Sequence, residues 1–426
     1  MLTAVVGINW GDEGKGRMVD LLSESSDIVC RYQGGNIAGH TVINHLGRFK
    51  LNLIPVGILR EGVVNIIGPG MVLDLAHLCG EIAVLREKGI KITPDNLKIS
   101  DKVCICLPYH KSQDILEDDR LGDKKYGPAR RGIAPAYGDK YMKKSLRAAD
   151  LLEPSSLKQK LSDILEWKNI LLSGYGAGEI NLSEVLRWVE KHGSQIAPFV
   201  TDTTEYLYEA SLNKKRILFE GQQGTLRDID YGIYPYTTSS QTLAAYAPIG
   251  AGLPGARLDR VVGVMKSFSS CIGEGPFTAE LFGEEAKILS ETGPEPEYGA
   301  PTGRARRIGA LDIPASRYGV RIQGANELTL TKLDVLSHLK EIPVCVAYEI
   351  DGKRTENFPI GDALLRAKPI FEYFPGFSKD ISGCRRPEDL PIEAKNYVEY
   401  VENALKCPIT YVSVGPERED YLLWKN

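Results

Sequence analysis

A chain of 426 residues with 43% hydrophobic and 25% charged side chains has the make-up of a globular protein with a large core. Its formal net charge of −4 excludes a nucleic-acid binder held by a basic face, and no apolar run nears the ~18 residues of a membrane span. Eight cysteines scattered from Cys30 to Cys407 fit reduced thiols rather than a disulfide scaffold, and Cys104-x-Cys106 has no partner cluster for zinc. We expect a cytoplasmic protein without a secretory leader, because the chain opens directly on its first strand.

Residues 2–6 are an apolar run that reads as a buried strand, and residues 18–22 read as the start of a helix. Between them lies Gly7-Ile8-Asn9-Trp10-Gly11-Asp12-Glu13-Gly14-Lys15-Gly16-Arg17. Its glycines let the backbone approach a bound group, and amides at a helix N-terminus favour an anion. Lys15 adds a positive charge and Asp12 a negative one, so this turn suits a phosphate, a metal and a base together. The spacing is not that of a Walker A loop, since Asn9 stands at the first glycine position and Gly16 replaces the hydroxyl.

Further along, residues 27–32 read as a second strand ending in a glycine-rich loop that carries His40. Residues 49–54 and 63–67 read as strands, and residues 73–88 as a helix with His77 on one face. Residues 114–144, dense in charge and glycine, read as a long polar loop, either a lid or plain surface. Residues 151–191 and 202–213 read as helical. Strands are expected at 216–219, 261–264, 328–334 and 410–414, with a basic loop at 297–307. Alternating strands and helices predict an α/β fold around a mostly parallel sheet. Polar loops recur at the carboxyl ends of the strands, where such sheets bind ligands.

Thr331-Lys332-Leu333-Asp334 is similar to the base reader of GTP-binding proteins, in which a carboxylate accepts from guanine N1–H and the exocyclic amine. Four residues alone do not separate that reading from a surface ion pair. Arg304, Arg306 and Arg307 suit carboxylates or phosphates through forked hydrogen bonds. His40 suits donation to a phosphoryl group only if its loop brings it there.

These segments together resemble the adenylosuccinate synthetase family. The likeness is carried by residues 7–16, by Arg-Tyr-Gln-Gly-Gly-Asn-Ile-Ala-Gly-His-Thr (31–41) and by Gly-Ile-Ala-Pro-Ala-Tyr-Gly-Asp-Lys (132–140). Residues 219–230, 234–240, 302–307, 330–336 and 413–416 complete it. The resemblance implies one large α/β unit over residues 1–426, related to P-loop nucleotide hydrolases without a Walker A loop, with excursions near 70–215 and 270–310. It further implies a homodimeric, magnesium-dependent ligase that joins L-aspartate to C6 of IMP and uses GTP.

Residue by residue, the likeness gives Asp12 the N1 proton and, with the Gly39 carbonyl, the metal. His40 and Lys140 attend the transferred phosphoryl group, and Gln223 steadies the 6-oxyanion. GTP falls to Gly14, Lys15, Gly16, Thr41 and Arg306, with Lys332, Asp334, Ser413, Gly415 and Pro416 around guanine. Aspartate falls to Thr302 and Arg304.

The acceptor site departs from the family pattern. Among the positions expected around the IMP phosphate (Asn36, Ile37, Ala129, Lys143, Thr238), Ile37 replaces asparagine, Ala129 replaces threonine, and Lys143 replaces an arginine given by the neighbouring subunit. Cys271 stands for an arginine, and Pro301 and Ala305 for a threonine and an arginine. Two lost bonds to a charged phosphate weaken IMP ~100-fold unless Arg130 or Lys144 compensates. A different purine-like acceptor, or a GTP-binding relative without catalysis, therefore stays open.

Overall fold

Leu2–Gly7 lies near the middle of a ten-stranded sheet. The computed structural model describes residues 1–124, 126–127, 130–292, 297 and 305–425. From one edge the strands run Tyr421–Leu423, Ile409–Ser413, Glu327–Thr331, Arg260–Lys266 and Leu2–Gly7. Ile217–Glu220, Ile28–Arg31, Val64–Ile67, Leu97–Ser100 and Val200–Thr201 follow to the other edge. All neighbours pair parallel except Tyr421–Leu423, which is antiparallel to Ile409–Ser413.

The central strands are apolar on both faces because both are covered. In Leu2–Gly7, Val5 joins one buried cluster with Val29, Ile67 and Val262, while Ala4 and Val6 join another with Cys30, Ile66 and Phe219. A third cluster gathers Ile8, Leu328, Leu330 and Val412 under the helices Ile313–Gln323 and Ile392–Leu405. Cys104 and Cys106 point into one small apolar cluster with Val72 and Ile133, and all eight cysteines are unpaired. Among the described residues no helix is long and apolar enough to cross a membrane.

Three sequence expectations change. Residues 114–144 are not a loop: helices span Pro108–Leu121 and Ile133–Tyr141. Apolar periodicity misses the first because its buried residues include His110, Asp114 and Asp118, which bond to Asp139, to the Gly132 amide and to Arg130. The expected helix over 151–191 is two, Pro154–Ser173 and Leu182–Ile196. Gly174, Gly176 and Gly178 separate them, and the Asn181 side chain caps the second by accepting from the Ser183 and Glu184 amides. The strand expected to reach residue 334 stops at Thr331, because Lys332 turns the chain at φ 60° into Leu333–His338.

Candidate functional site

The turn after Leu2–Gly7 is built around the buried carboxylate of Glu13. Its Oε1 accepts from the amides of Gly11 (2.8 Å) and Asn9 (3.2 Å), and its Oε2 meets Lys15 Nζ at 2.5 Å. Gly14 precedes the helix Lys15–Ser23 at φ 96°, a conformation costly for any residue with a Cβ. Gly16 lets the next loop close in: a Cβ there would lie 2.6 Å from His40 Cβ. The helix thus presents free amides to a cleft of about 650 Å³.

That cleft collects the carboxyl-end loops of several strands. It is lined by Asp12, Gly14, Lys15, Gly16, Ile37, Gly39, His40, Thr41, Gln223, Thr238, Arg306, Lys332, Asp334, Gly415 and Pro416, all singled out from the sequence. Asp12, Gln223 and Lys332 hold left-handed backbones at φ 58°, 59° and 60°. Such strain in non-glycine residues concentrates at functional sites.

Asp12 pairs with Arg306 at 3.0 Å and keeps a side chain 33% exposed toward the cleft. Desolvation pushes its carboxyl up, but Arg306, Lys266 and Lys15 outweigh that and hold it below the usual carboxylate range. At the other end Asp334 has a buried Oδ1 with no hydrogen-bond partner, and burial raises its pKa. Lys332 pairs with Glu297 rather than Asp334, so the two do not form the surface ion pair.

His40 opens the hairpin strand His40–Asn44, and its Nδ1 lies 2.5 Å from Glu220 Oε1. That contact needs a proton between the atoms, so Nδ1–H donates and Nε2 carries the lone pair. Arg31 Nη2 bonds the same Glu220 oxygen at 2.7 Å, and the Val56 amide donates to the other at 2.8 Å. Burial and Arg31 drive the imidazole down to about 4 against the pull of Glu220. Glu220, which burial alone would raise, falls to about 2 beside Arg31 and His40.

Several predicted residues stand off the cleft wall. Ser413 donates to the Gly415 carbonyl at 3.0 Å, and Lys140 to the Pro69 carbonyl at 3.0 Å. Asn36 is tied to Asp74 at 3.0 Å, and Lys143 is exposed. Arg307 leaves the arginine cluster for Glu280 and the Gly275 carbonyl. Ala129, Thr302 and Arg304, like Pro301, lie outside the described residues. Arg130 pairs with Asp118 (2.5 Å) and Asp119 (2.9 Å).

A model of the adenylosuccinate synthetase family matches residues 4–422. The chain belongs to the adenylosuccinate synthetase family. The synthetase of Caldanaerobacter subterraneus subsp. tengcongensis is 43% identical over 427 residues, 100% of this chain and 99% of that one. The synthetase of Halothermothrix orenii is 44% identical, covering 98% of this chain and 97% of its own. Among solved structures, fully ligated adenylosuccinate synthetase from Plasmodium falciparum superposes with a TM-score of 0.93 at 34% identity over 99% of each chain. Succinoaminodeoxyadenylate synthetase of cyanophage S-2L, bound to dGMP and dATP, matches at a TM-score of 0.63 and 19% identity over 100% of this chain and 95% of its own. That second likeness is one of fold alone.

Sequence reasoning about this family-like site missed Glu220, Arg31, Glu297 and Arg227. Glu220 and Arg31 end two apolar strands, and the sheet register sets them opposite one another. Opposite charges closing two apolar runs were the available signal. Arg227 lines the cleft, donates to Cys271 Sγ at 2.8 Å and to the Ile272 carbonyl at 2.7 Å, and so fills the space beside Cys271. It stands within the 219–230 segment that carries the family likeness, but no role was assigned to it from the sequence.

Proposed function

We propose that this chain joins L-aspartate to C6 of IMP with cleavage of GTP, giving adenylosuccinate, GDP and phosphate. The observation that carries the reading is one cleft holding a carboxylate beside a helix N-terminus and a lysine at one end, and an unpartnered buried carboxylate oxygen at the other. The first end suits a triphosphate, the second a donor-rich base such as guanine.

In this reading Asp12 takes the N1 proton of IMP, leaving negative charge on O6, which attacks the γ-phosphorus as GDP departs. The amine of aspartate then attacks C6, phosphate leaves, and the amine proton is lost. Amides of Gly14, Lys15 and Gly16 and the Lys15 ammonium face the phosphates, and Gln223, which lines the cleft, donates from its side-chain amide to O6 in this reading. With its pKa at about 4, His40 is neutral with a lone pair on Nε2. The charge of an arriving triphosphate raises its pKa, so that it donates to the transferring group. Asp334 accepts from guanine, and Arg306 is drawn from Asp12 toward the phosphates.

Magnesium fits this donor set. Among the described residues no cluster of three acidic, histidine or cysteine ligands exists, whereas the Asp12 carboxylate and the Gly39 carbonyl share the cleft. One carboxylate with substrate phosphates is the usual magnesium arrangement, and the bound ion neutralises phosphate charge. A cytoplasmic homodimer completes the proposal. Free thiols agree with a reducing compartment, and exposed Tyr141 and Met142 beside Lys143 offer apolar surface to a second copy.

Ile37 supports a second reading, in which the acceptor is bound without the usual phosphate clamp. It packs against the small apolar cluster that holds Val72, Ile133 and Tyr137, and with Ile133 gives the cleft an apolar wall there. Purified protein with GTP, Mg²⁺ and L-aspartate, offered IMP, inosine or dGMP separately, separates the readings by phosphate release and product mass. Succinylated IMP is expected. Turnover of inosine without turnover of IMP would replace the acceptor, and GTP binding without any product would remove catalysis.

A further inference from the structure

Glu297 lies between the helix Glu284–Glu291 and the strand Arg307–Gly309, with a side chain only 1% exposed. A buried carboxylate is costly unless cations and donors surround it. Among the described residues three cations do so: Lys266 Nζ at 2.8 Å, Arg306 Nη1 at 3.0 Å, and Lys332 Nζ. Burial alone would raise this carboxyl, but the three charges hold it far below the usual range. Its backbone is fixed as well, since the Arg306 amide donates to the Glu297 carbonyl at 2.9 Å and the Glu297 amide to the Ser290 carbonyl at 3.1 Å.

Arg306 and Lys332 line the cleft at different places, while Lys266 lies buried behind the cleft residue Ser270. Lys266 ends the strand Arg260–Lys266 and bonds Ser270 Oγ at 2.5 Å. Arg306 continues to Asp12 at 3.0 Å. Lys332 turns the chain toward Asp334. Like charges gathered this closely repel, and Lys266 is pushed down to about 8 by burial, with Lys332 and Arg306 adding to the fall against Glu297. Glu297 is the shared anion that lets these cations stand together.

We propose that Glu297 is a positioning residue for GTP, fixing Lys332 at the base end and Arg306 at the phosphate end in one relative geometry. The inference rests on the functional reading above, which seats guanine by Lys332 and the triphosphate by Arg306. Glu297 itself touches neither substrate. Its effect passes through the two cations, so its loss weakens GTP and spares IMP.

Glu297→Gln keeps the shape and removes the charge, while Glu297→Asp keeps the charge on a shorter arm. Calorimetric GTP titration without acceptor, followed by steady-state kinetics, reads both variants. E297Q is expected to weaken GTP about tenfold or more, with E297D between it and the parent and the KM for IMP within about twofold. A merely structural collapse would raise the KM for IMP as well, and action through the ion pair with Lys332 shows as coupling in GTP affinity. Lys332→Ala is therefore expected to cost clearly less affinity in the E297Q background than alone. GTP affinity of E297Q within about twofold of the parent, or additive losses in the double variant, overturns the inference. Should E297Q fail to fold, E297D paired with K332A gives the same comparison. A parent that binds GTP yet forms no adenylosuccinate defeats the functional reading, while the titrations still decide the role of Glu297.

Discussion

The guanidinium of Arg306 lies 3.0 Å from the carboxylate of Asp12, closing an ion pair in the wall of the cleft. The proposed base is held by a neighbour that the triphosphate would draw away. Asp12→Asn removes the base and keeps the shape. It is expected to lower kcat at least about a hundredfold, with the KM for GTP nearly unchanged because Arg306 keeps Glu297 as a partner. Adenylosuccinate formation followed by product mass checks this; an unaltered kcat removes Asp12 from proton transfer.

Asp334 presents a buried oxygen that finds no donor inside the protein. Asp334→Asn sets an amide against the guanine amine and is expected to raise the KM for GTP about tenfold to a hundredfold. Xanthosine triphosphate, with a carbonyl in place of the amine, regains use by the variant. Equal loss with both nucleotides counts against base reading by this residue.

His40 and Glu220 make the fold acid-sensitive. The imidazole falls from 6.5 to about 4, so the unfolded chain binds the extra proton first and stability declines as pH drops through that window. Glu220, lowered from 4.5 to about 2, gives stability that is present above 4.5 and lost below it. His40→Gln cannot titrate. Urea midpoints at pH 7 and pH 5 are expected to fall less for H40Q than for the parent, and parallel falls would refute the assignment.

Ile37 occupies a position that the family likeness gives to the IMP phosphate. Ile37→Asn returns a donor there and is expected to lower the KM for IMP by about tenfold, the worth of one bond to a charged group. Its packing against the apolar cluster beneath it is lost in exchange, so the melting temperature falls slightly. Should the KM for IMP stay the same, the phosphate is held elsewhere in the cleft.

Much of the site was legible because close approach demands particular residues. Gly14 at φ 96° disfavours any residue with a Cβ, and Gly16 against His40 has no room for one, so the phosphate turn shows itself as a run of glycines. The parallel sheet showed in its apolar runs, since strands such as Leu2–Gly7 are covered on both faces. The helix Pro108–Leu121 did not show, because polar groups satisfied by distant partners make up most of its buried face. Helical periodicity registers apolar burial, not polar burial that is paid for by hydrogen bonds.

By itself the sequence determined the family, the α/β class, and the residue types at both ends of the cleft, because each follows from local order along the chain. Only the tertiary structure decided which charges neutralise one another. Glu297 and Lys332 are far apart in sequence, as are His40 and Glu220 and also Asp12 and Arg306. Their pairing depends on which strands lie side by side and on how deeply each carboxylate is withdrawn from water. Those are properties of the packed sheet, and a buried charge takes its partner from whatever the packing brings within reach.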